Sequence, residues 1–388
     1  ASSDWFDPEW MFGVTDGFDI VIGNPPHGAR IEDYKMRILG KFKFYETRKN
    51  SASLFIEQGF HLLKELGVLS FIIPKSFTYV KSWEKPRVFS VFHNRLLSVI
   101  DVSKAFENVK LEQVIVICKK EKINEDYFFK TGDYWGDSVN YITLSNTNLI
   151  KKLGIIPVYI DELKFAIYNK IIKDTVLLNQ ISYTCRGLPF QKYITPDGDI
   201  EVIRGDNIGK FTIYGDIKKI SIPKMDEQNK KKLNLLRKQK IISQNIVAHA
   251  MKPFDRVIIM ATFDNIGYLT LDTVMNTFIY DISTYSYNYI LGILNSRLAE
   301  WFYYWFVYNR AIRTMHFDEY YIGKLPVKKV NFKNFEIIKT LESLVDQILS
   351  IKKQNPDEDT SHLEKQIDQL VYKLYDLTEE EIKIIESS

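Results

Sequence analysis

Cysteine is almost absent from this sequence, with only Cys118 and Cys185 among 388 residues. Two widely separated cysteines cannot supply a disulfide framework or a four-ligand zinc site, and such sparse usage is typical of a reducing cytoplasm. No apolar run reaches the length that spans a membrane, and the N-terminus lacks a basic segment followed by an apolar one. The sequence therefore predicts a cytoplasmic protein with no membrane partner.

A large excess of charge of one sign is also lacking, because 52 Lys and Arg oppose 49 Asp and Glu, a formal net charge of +3. Any nucleic-acid binding must therefore come from local clusters of basic residues. Aromatic side chains are plentiful, with 25 Phe and 23 Tyr, and we expect most of them in the core. The length and the hydrophobic content of 45% allow two or three globular domains.

The most informative stretch covers residues 17–27 and reads Gly-Phe-Asp-Ile-Val-Ile-Gly-Asn-Pro-Pro-His. Residues 18–22 predict a strand that is buried on both faces. The strand ends abruptly at Gly23, Asn24, Pro25 and Pro26, since proline has no backbone donor and cannot continue a ladder. Open α/β sheets bind their ligands at strand ends of this kind.

The loop has the chemistry to hold an amino group. The side-chain oxygen of Asn24 and the carbonyl of Pro25 are two acceptors that can converge on one exocyclic NH2. Such a pair can hold an adenine amino group while its nitrogen attacks a methyl donor, and can stabilise the positive charge that develops there. A flat ring usually follows and stacks on a base removed from the duplex. The structural alternative is a plain turn between strand and loop.

With this motif the sequence resembles the gamma-class N6-adenine DNA methyltransferases, whose fourth motif reads Asn-Pro-Pro-aromatic. The resemblance implies that Asn24, Pro25, Pro26 and His27 form the catalytic motif. His27 departs from the family, which has Tyr, Phe or Trp at that position. Imidazole stacks more weakly on a base than those rings, so this departure bears on turnover more than on the fold.

Two later stretches extend the resemblance. Residues 50–55 look like the fifth motif of the family, in which the aromatic residue, here Phe55, packs on the adenine of the cofactor. Residues 105–109 precede an apolar strand and look like the eighth motif, in which Phe106 would stack on the flipped base opposite His27. Either phenylalanine could instead be a core residue.

The resemblance implies S-adenosylmethionine as the cofactor, with Gly23, Asn24 and Phe55 as candidate contacts. The family binds it with a glycine-rich turn and an acidic residue from the first half of its sheet, and neither occurs in this sequence. We therefore interpret residues 1–120 as the C-terminal half of a methyltransferase domain. The isolated chain should bind the cofactor poorly and need the missing N-terminal half, from the same polypeptide or from a partner subunit.

The sequence of residues 1–120 predicts a partial doubly wound, Rossmann-like α/β sheet. The predicted strands are 18–22, 68–74, 96–102 and 113–118, and the predicted helices are 51–66 and 80–95. The outer edge of the first strand would then lack its natural neighbour. The chain is a fragment, one part of a split enzyme, or a decayed relative.

The remaining sequence divides into three segments. Residues 121–180 predict a connecting segment with a short β excursion and one or two helices. Residues 181–330 alternate short strands with turn signals and predict a mixed α/β target-recognition domain. This domain resembles that of TaqI-like methyltransferases and type IIG restriction-modification enzymes, on the stretches 203–208, 240–242, 289–296 and 320–327. Residues 331–388 predict a C-terminal helical hairpin.

Basic residues of the recognition domain are the candidate DNA contacts. They are Arg186 and Arg204 in turns, Lys230, Lys231 and Lys232 in a cluster that extends to Lys240, and Arg310 and Arg313 with His316 beside the aromatic residues Trp301, Tyr303, Tyr304 and Trp305. Guanidinium groups can read guanine edges, and clustered lysines neutralise phosphates and make binding salt-sensitive. Most charge runs, however, are solvated faces.

The sequence thus predicts a site-specific DNA adenine N6-methyltransferase, part of a type IIG restriction-modification enzyme, that binds double-stranded DNA. No metal site is predicted, because the carboxylates near residue 199 lack the Glu-x-Lys of a nuclease. The alternative is a non-catalytic DNA-binding specificity protein that acts with a partner. Methylation of RNA or protein through the same loop is disfavoured by the recognition-domain resemblance.

Overall fold

A computed structural model describes residues 7–26, 51–103, 111–135, 138–221, 227–313 and 315–388. The chain forms two compact units. Unit 1 comprises Ala1–Asp161 and Trp305–Ala311, and unit 2 comprises Glu162–Tyr304 and Ile312–Ser388. The four-part division derived from the sequence is finer than this and stays a prediction. None of the helices in the described ranges is long and apolar enough to cross a membrane.

Unit 1 is built on one six-stranded sheet. Its strands are β1 (Phe18–Gly23), β2 (Leu63–Pro74), β3 (Arg95–Ser103), β4 (Gln113–Lys119), β5 (Phe128–Trp135) and β6 (Ser138–Asn146), and its helices are α1 (Pro8–Phe12), α2 (Ala52–Leu62), α3 (Glu84–Val88) and α4 (Thr147–Leu153). The strand order is β1-β2-β4-β3-β5-β6. β1, β2, β3 and β5 run parallel, whereas β4 and β6 run antiparallel to them. The predicted partial α/β sheet is therefore confirmed, and the predicted β excursion extends the same sheet.

One face of the sheet packs on helix α2. Alternate residues of the central strands point to this face, so β2 contributes Leu69, Phe71 and Ile73 while α2 contributes Ile56 and Phe60 to a single core. All five side chains are almost completely buried. The apolar spacing of the two elements thus accounts for their contact.

β1 lies at the edge of the described sheet, and the prediction that it is buried on both faces is wrong for this structure. Val21 packs on the core, whereas Ile20 and Ile22 are 65% and 78% exposed. β1 pairs only with β2, and no other strand in the described part of the chain pairs with its second edge. Ile20 and Ile22 also point away from the face that packs on α2, which leaves them in water.

A glycine fixes the entry into β1. Gly17 has a φ of +97°, in the region that favours glycine, and an added Cβ would lie 2.7 Å from the backbone nitrogen of Lys64. Only a residue without a side chain allows β1 to approach the start of β2 so closely.

Unit 2 combines small sheets with helices. Its strands are β7 (Thr175–Leu177), β8 (Ser182–Arg186), β9 (Ile200–Ile203), β10 (Ile208–Gly209), β11 (Thr212–Ile213), β12 (Lys218–Ile220), β13 (Lys240–Gln244), β14 (Ala248–Ala250), β15 (Arg256–Ile258), β16 (Ala261–Asp264), β17 (Leu269–Thr270), β18 (Val274–Ile279) and β19 (Pro326–Lys328). The largest sheet has the order β16-β13-β18-β8, and a second has the order β12-β9-β17.

The helices of unit 2 are α5 (Glu162–Ile172), α6 (Leu178–Ile181), α7 (Glu227–Leu236), α8 (Tyr287–Leu294), α9 (Arg297–Phe302), α10 (Glu319–Ile322), α11 (Phe335–Gln354), α12 (Ser361–Leu374) and α13 (Glu379–Ser387). α11 and α12 pack on each other. Their buried apolar stripes explain the contact, for example Leu341 and Ile348 on α11 and Ile367 and Val371 on α12. The mixed α/β architecture and the C-terminal helices are therefore confirmed.

Candidate active site and DNA contacts

The parallel strands of unit 1 end at one edge of the sheet, which we call the carboxyl edge. Asn24 follows β1 and Lys75 follows β2, while Asp101 lies near the end of β3. Ligands of open α/β sheets bind outside such an edge. The residues at these strand ends are therefore the candidates for chemistry.

The loop after β1 is anchored but leaves its asparagine accessible. Asn24 and Pro26 are exposed, whereas Pro25 is buried. The Ser51 hydroxyl donates a hydrogen bond to the Pro26 carbonyl, and the two proline rings fix two φ angles. The Asn24 side chain has no hydrogen-bond partner among the residues that the structure describes. It is thus available to a ligand.

Of the three aromatic side chains assigned to this site, the structure describes Phe55 alone. Phe55 lies in the first turn of α2 and is 44% exposed, although its neighbour Leu54 is buried. Phe55 is therefore not a core residue, which leaves its ring accessible for stacking. His27 and Phe106 lie outside the described residues, so the predicted stacking pair stays a prediction.

A buried cluster of charges lies at the carboxyl edge and was not predicted. The Lys75 ammonium is 2.8 Å from a carboxylate oxygen of Asp101 and 3.4 Å from one of Glu112, and the Lys75 and Asp101 side chains are almost fully buried. Burial opposes ionisation of Asp101, but the charge and hydrogen bond of Lys75 outweigh it and hold the pKa of Asp101 below its ordinary value. The signal available in the sequence was a charged residue at the end of two of the apolar strands, Lys75 after β2 and Asp101 near the end of β3.

Tyr159 extends this cluster towards Arg310. Tyr159 shares a hydrogen bond with Asp101, and burial together with that carboxylate raises the pKa of the Tyr159 phenol. The Arg310 guanidinium lies 4.5 Å from the centre of the Tyr159 ring and 5.2 Å from that of Trp305. Arg310 is therefore part of unit 1, although the sequence assigned it to the recognition domain.

In unit 2 the backbone segments that carry Arg186 and Arg204 both contact the loop before β18, at Asp272 and Thr273. The exposed Arg186 donates a hydrogen bond from Nε to the Asp272 carbonyl. Gly205, next to Arg204, donates its backbone N–H to the Thr273 hydroxyl at 2.9 Å. The Arg204 guanidinium pairs with Asp206 at 2.9 Å. Arg186 is consequently the more accessible of the two guanidinium groups.

The predicted lysine cluster is only partly available to a ligand. Lys230 and Lys231 are exposed, and the half-buried Lys232 donates a hydrogen bond to the Gly187 carbonyl at 3.1 Å. Lys240 is completely buried and pairs with Asp264. Burial lowers the pKa of Lys240, against the effect of Asp264. Including Lys240 in a DNA-binding cluster was therefore wrong.

The aromatic residues before Arg310 are internal. Trp301 and Tyr303 are fully buried, and Tyr304 and Trp305 nearly so. Their predicted role in contacting a DNA groove or backbone is therefore wrong, since such rings are not accessible to a ligand. Arg313 and His316 are exposed and lie in unit 2. Within the described ranges, no group of three or more His, Cys, Asp or Glu residues could hold a metal ion.

The two regions that carry the Asn-Pro-Pro loop and the small sheets each match a known protein family. Residues 2–107 match the Eco57I restriction-modification methylase family, and residues 200–327 match the TaqI-like C-terminal specificity domain. The chain thus contains an Eco57I-type methylase region and a TaqI-like specificity domain, which confirms the resemblance seen in the sequence.

Individual relatives agree with this assignment. RM.MjaORFECS2P of Methanocaldococcus jannaschii, named as a type II restriction enzyme and methyltransferase, is 25% identical over 93% of this chain and 31% of its own length. The type II restriction enzyme and methyltransferase RM.Eco57I of Escherichia coli is 26% identical over 34% of this chain and 14% of its own length. The chain therefore spans a third or less of these two relatives.

The fold is shared with a solved restriction-modification enzyme. MmeI, a type IIL enzyme solved in complex with DNA, has a TM-score of 0.55 at 10% sequence identity. The match covers 92% of this chain and 54% of MmeI. At this identity the likeness concerns the fold alone.

Proposed function

We propose that this chain is the recognition part and half of the catalytic part of a site-specific DNA adenine N6-methyltransferase, of the type IIG restriction-modification kind. The observation that carries the proposal is the exposed Asn24 in an anchored Asn-Pro-Pro loop at the carboxyl edge. The match of residues 2–107 to a methylase family supports the same reaction class.

The Asn24 loop would act on an adenine that has left the duplex. The Asn24 amide oxygen and the Pro25 carbonyl would accept hydrogen bonds from the two N6 hydrogens and stabilise the positive charge that develops on nitrogen. His27 and Phe106 would stack on the two faces of the ring. No general base is needed, because the nitrogen can attack in line and lose its proton afterwards.

The described residues fit S-adenosylmethionine only in part. The exposed ring of Phe55 offers a stacking surface for an adenine, and Gly23 and Asn24 lie at the edge where a ligand binds. When bound, the cofactor supplies a methyl group on a positively charged sulfur. A glycine-rich turn and a ribose-binding acidic residue would have to come from outside this chain.

The free edge of β1 supports the need for a missing half. Ile20 and Ile22 expose apolar surface on one face of β1, and no strand of the described ranges pairs with the second edge of β1. An exposed apolar edge strand is a template for pairing with another strand. We therefore assign this edge to the missing N-terminal half, in the same polypeptide or in a partner subunit.

Double-stranded DNA would be bound by basic residues of both units. The Nε bond to the Asp272 carbonyl orients the exposed Arg186 side chain, whose two terminal nitrogens form a planar fork of donors. Such a fork can contact O6 and N7 of a guanine. Lys230, Lys231 and Arg313 are exposed and would contact phosphates, and Arg310 would do so at the carboxyl edge. Arg204 and Lys232, each already bonded within unit 2, would position the loops that carry them.

The experiment is methyl transfer to DNA by the chain supplied with its N-terminal half. Asn24→Ala should abolish transfer from S-adenosylmethionine while DNA binding survives. Asn124→Ala is the matched control, because Asn124 is an exposed loop asparagine of the same unit. Sequence-specific DNA binding without transfer under any complementation would refute the proposal and favour the non-catalytic specificity protein.

A further inference from the structure

The crossing segment, defined as Trp305–Ala311, belongs to unit 1, although the residues on both sides of it along the chain belong to unit 2. The polypeptide thus leaves unit 2 after Tyr304 and returns to it at Ile312. Tyr308 of this segment is buried and packs edge-on against Tyr79, with 6.3 Å between ring centres. The crossing segment is therefore part of the packed interior of unit 1.

Asn309 anchors the crossing segment by three hydrogen bonds. Its Nδ2 donates to the Thr78 hydroxyl at 2.8 Å and to the Ile156 carbonyl at 2.9 Å. Its Oδ1 accepts from the Val158 backbone N–H at 3.2 Å. Asn309 is 1% exposed, so these bonds replace water and hold two separate stretches of unit 1 to the segment.

The backbone at this point adopts a conformation that few residues take. Asn309 and Arg310 have φ values of 51° and 58°, two consecutive left-handed residues that are not glycine. Such strain persists only where the surroundings impose it, and it concentrates at functional sites. The Lys75 ammonium donates a hydrogen bond to the Arg310 carbonyl at 3.1 Å. The segment is consequently fixed to the residues that follow β2, which is the neighbour of β1, the strand that Asn24 follows.

We propose that Asn309 is a positioning residue that couples DNA recognition by unit 2 to the carboxyl edge of unit 1. The crossing segment is continuous with unit 2 at both ends, so a shift of Tyr304 or Ile312 on DNA binding pulls on Asn309. Asn309 transmits that shift to Thr78 and, through the Arg310 carbonyl, to Lys75. This inference rests on the proposed methyltransferase function.

The test is Asn309→Gly, made in the protein with its N-terminal half. Glycine keeps the left-handed backbone and removes the three side-chain hydrogen bonds. The matched control is Asp174→Gly, since Asp174 has a φ of 52° and is exposed in unit 2. DNA affinity is measured by fluorescence anisotropy, eversion by 2-aminopurine fluorescence at the target adenine, and catalysis by the single-turnover methylation rate.

Asn309→Gly should bind cognate DNA as the wild type does, while eversion and methylation fall by about 10- to 100-fold. Thr78→Val, which removes one of the three bonds, should give a smaller loss. Both substitutions leave buried polar groups without partners, so both should lower the unfolding temperature relative to the control, and the rates are compared well below the unfolding transition. Parallel loss of affinity and rate, or no loss in either, overturns the coupling role. Failure of the wild type to methylate DNA would instead refute the proposed function.

Discussion

Replacement of Lys75 by methionine measures how strongly the buried charge cluster stabilises unit 1. The change removes the cation that lies 2.8 Å from Asp101 and keeps an unbranched side chain of similar length. Asp101 would retain its hydrogen bonds from the Ser103 backbone, at 2.7 Å, and from Tyr159, but no counter-charge at bonding distance. Breaking a buried ion pair in this way costs about 3 to 5 kcal/mol. We expect unit 1 to lose this much free energy of unfolding near neutral pH.

The destabilisation by Lys75→Met should depend on pH, and the pKa of Asp101 sets the direction of that dependence. In the wild type the pKa of Asp101 lies below its ordinary 3.8, so the pair contributes stability above that pH, which is lost as the pH falls through the folded-state pKa. Without Lys75, burial dominates and raises the pKa of Asp101 above that of the unfolded chain. The destabilisation by Lys75→Met should therefore shrink as the pH is lowered from neutral to about 4.

Urea unfolding followed by tryptophan fluorescence is the assay, because Trp83 and Trp305 are buried in unit 1. Lys64→Met is the control, since Lys64 pairs with Asp19 at the surface and such pairs contribute at most about 1 kcal/mol. A double variant that adds Asp101→Asn should recover about 1 to 3 kcal/mol. The reasoning is refuted if Lys75→Met costs no more than the control, or if its cost grows in acid.

Three further predictions concern other parts of the chain. Gly17→Ala should destabilise unit 1 by about 2 to 4 kcal/mol in urea unfolding, because the added Cβ would lie 2.7 Å from a backbone atom. Gly13→Ala is the control and should cost about 1 kcal/mol, because Gly13 has a φ of +67° but open space around it. Equal losses in the two variants would contradict this prediction. Burial raises the pKa of the Asp368 carboxyl to about 6. The protonated carboxyl contributes stability below pH 3.8, and this contribution is lost as the pH rises through about 6 and the buried group ionises. Asp368→Asn should therefore stabilise unit 2 by about 2 kcal/mol above that pH and much less in acid, by thermal unfolding. Arg186→Ala should reduce discrimination between cognate and non-cognate DNA by about 1 to 3 kcal/mol in binding titrations, with Lys353→Ala unchanged; a uniform loss on all sequences would indicate a phosphate contact instead.

The strands of unit 1 could be predicted because each is a short apolar run. The predicted ranges 18–22, 96–102 and 113–118 differ by at most one residue at each end from β1, β3 and β4. β2 was predicted from residue 68 but begins at Leu63. Residues 63–66 continue the helical apolar spacing of α2, so the local pattern favours helix. Pairing of Leu63 with Phe18 holds them in the sheet instead, and that contact is not encoded locally.

The predictions that Lys240 and the aromatic residues near Arg310 contact DNA failed for two different reasons. The run from 301 to 308 reads Trp-Phe-Tyr-Tyr-Trp-Phe-Val-Tyr and is apolar on every side, a pattern that indicates an internal segment. Its burial was therefore predictable, although the neighbouring arginines suggested DNA. The burial of Lys240 depends on Asp264 and on the carbonyls of Leu236 and Tyr268. No local pattern indicates that these acceptors meet around one ammonium.

The charge cluster also shows why the two parts of the site were predicted unequally. The role proposed for Asn24 depends only on its own loop, so the motif is contiguous in the sequence and could be recognised there. Lys75 and Asp101 belong to strand ends that β4 separates in the sheet, and they meet at the carboxyl edge. Arg310 joins them because the chain returns to unit 1 after residue 304. A cut between residues 161 and 162 would therefore not release a complete unit 1, because the acceptor for Lys75 and the partner of Thr78 would leave with the other half of the chain. The part of the chain after residue 161 thus supplies some of the structure that supports the carboxyl edge of unit 1.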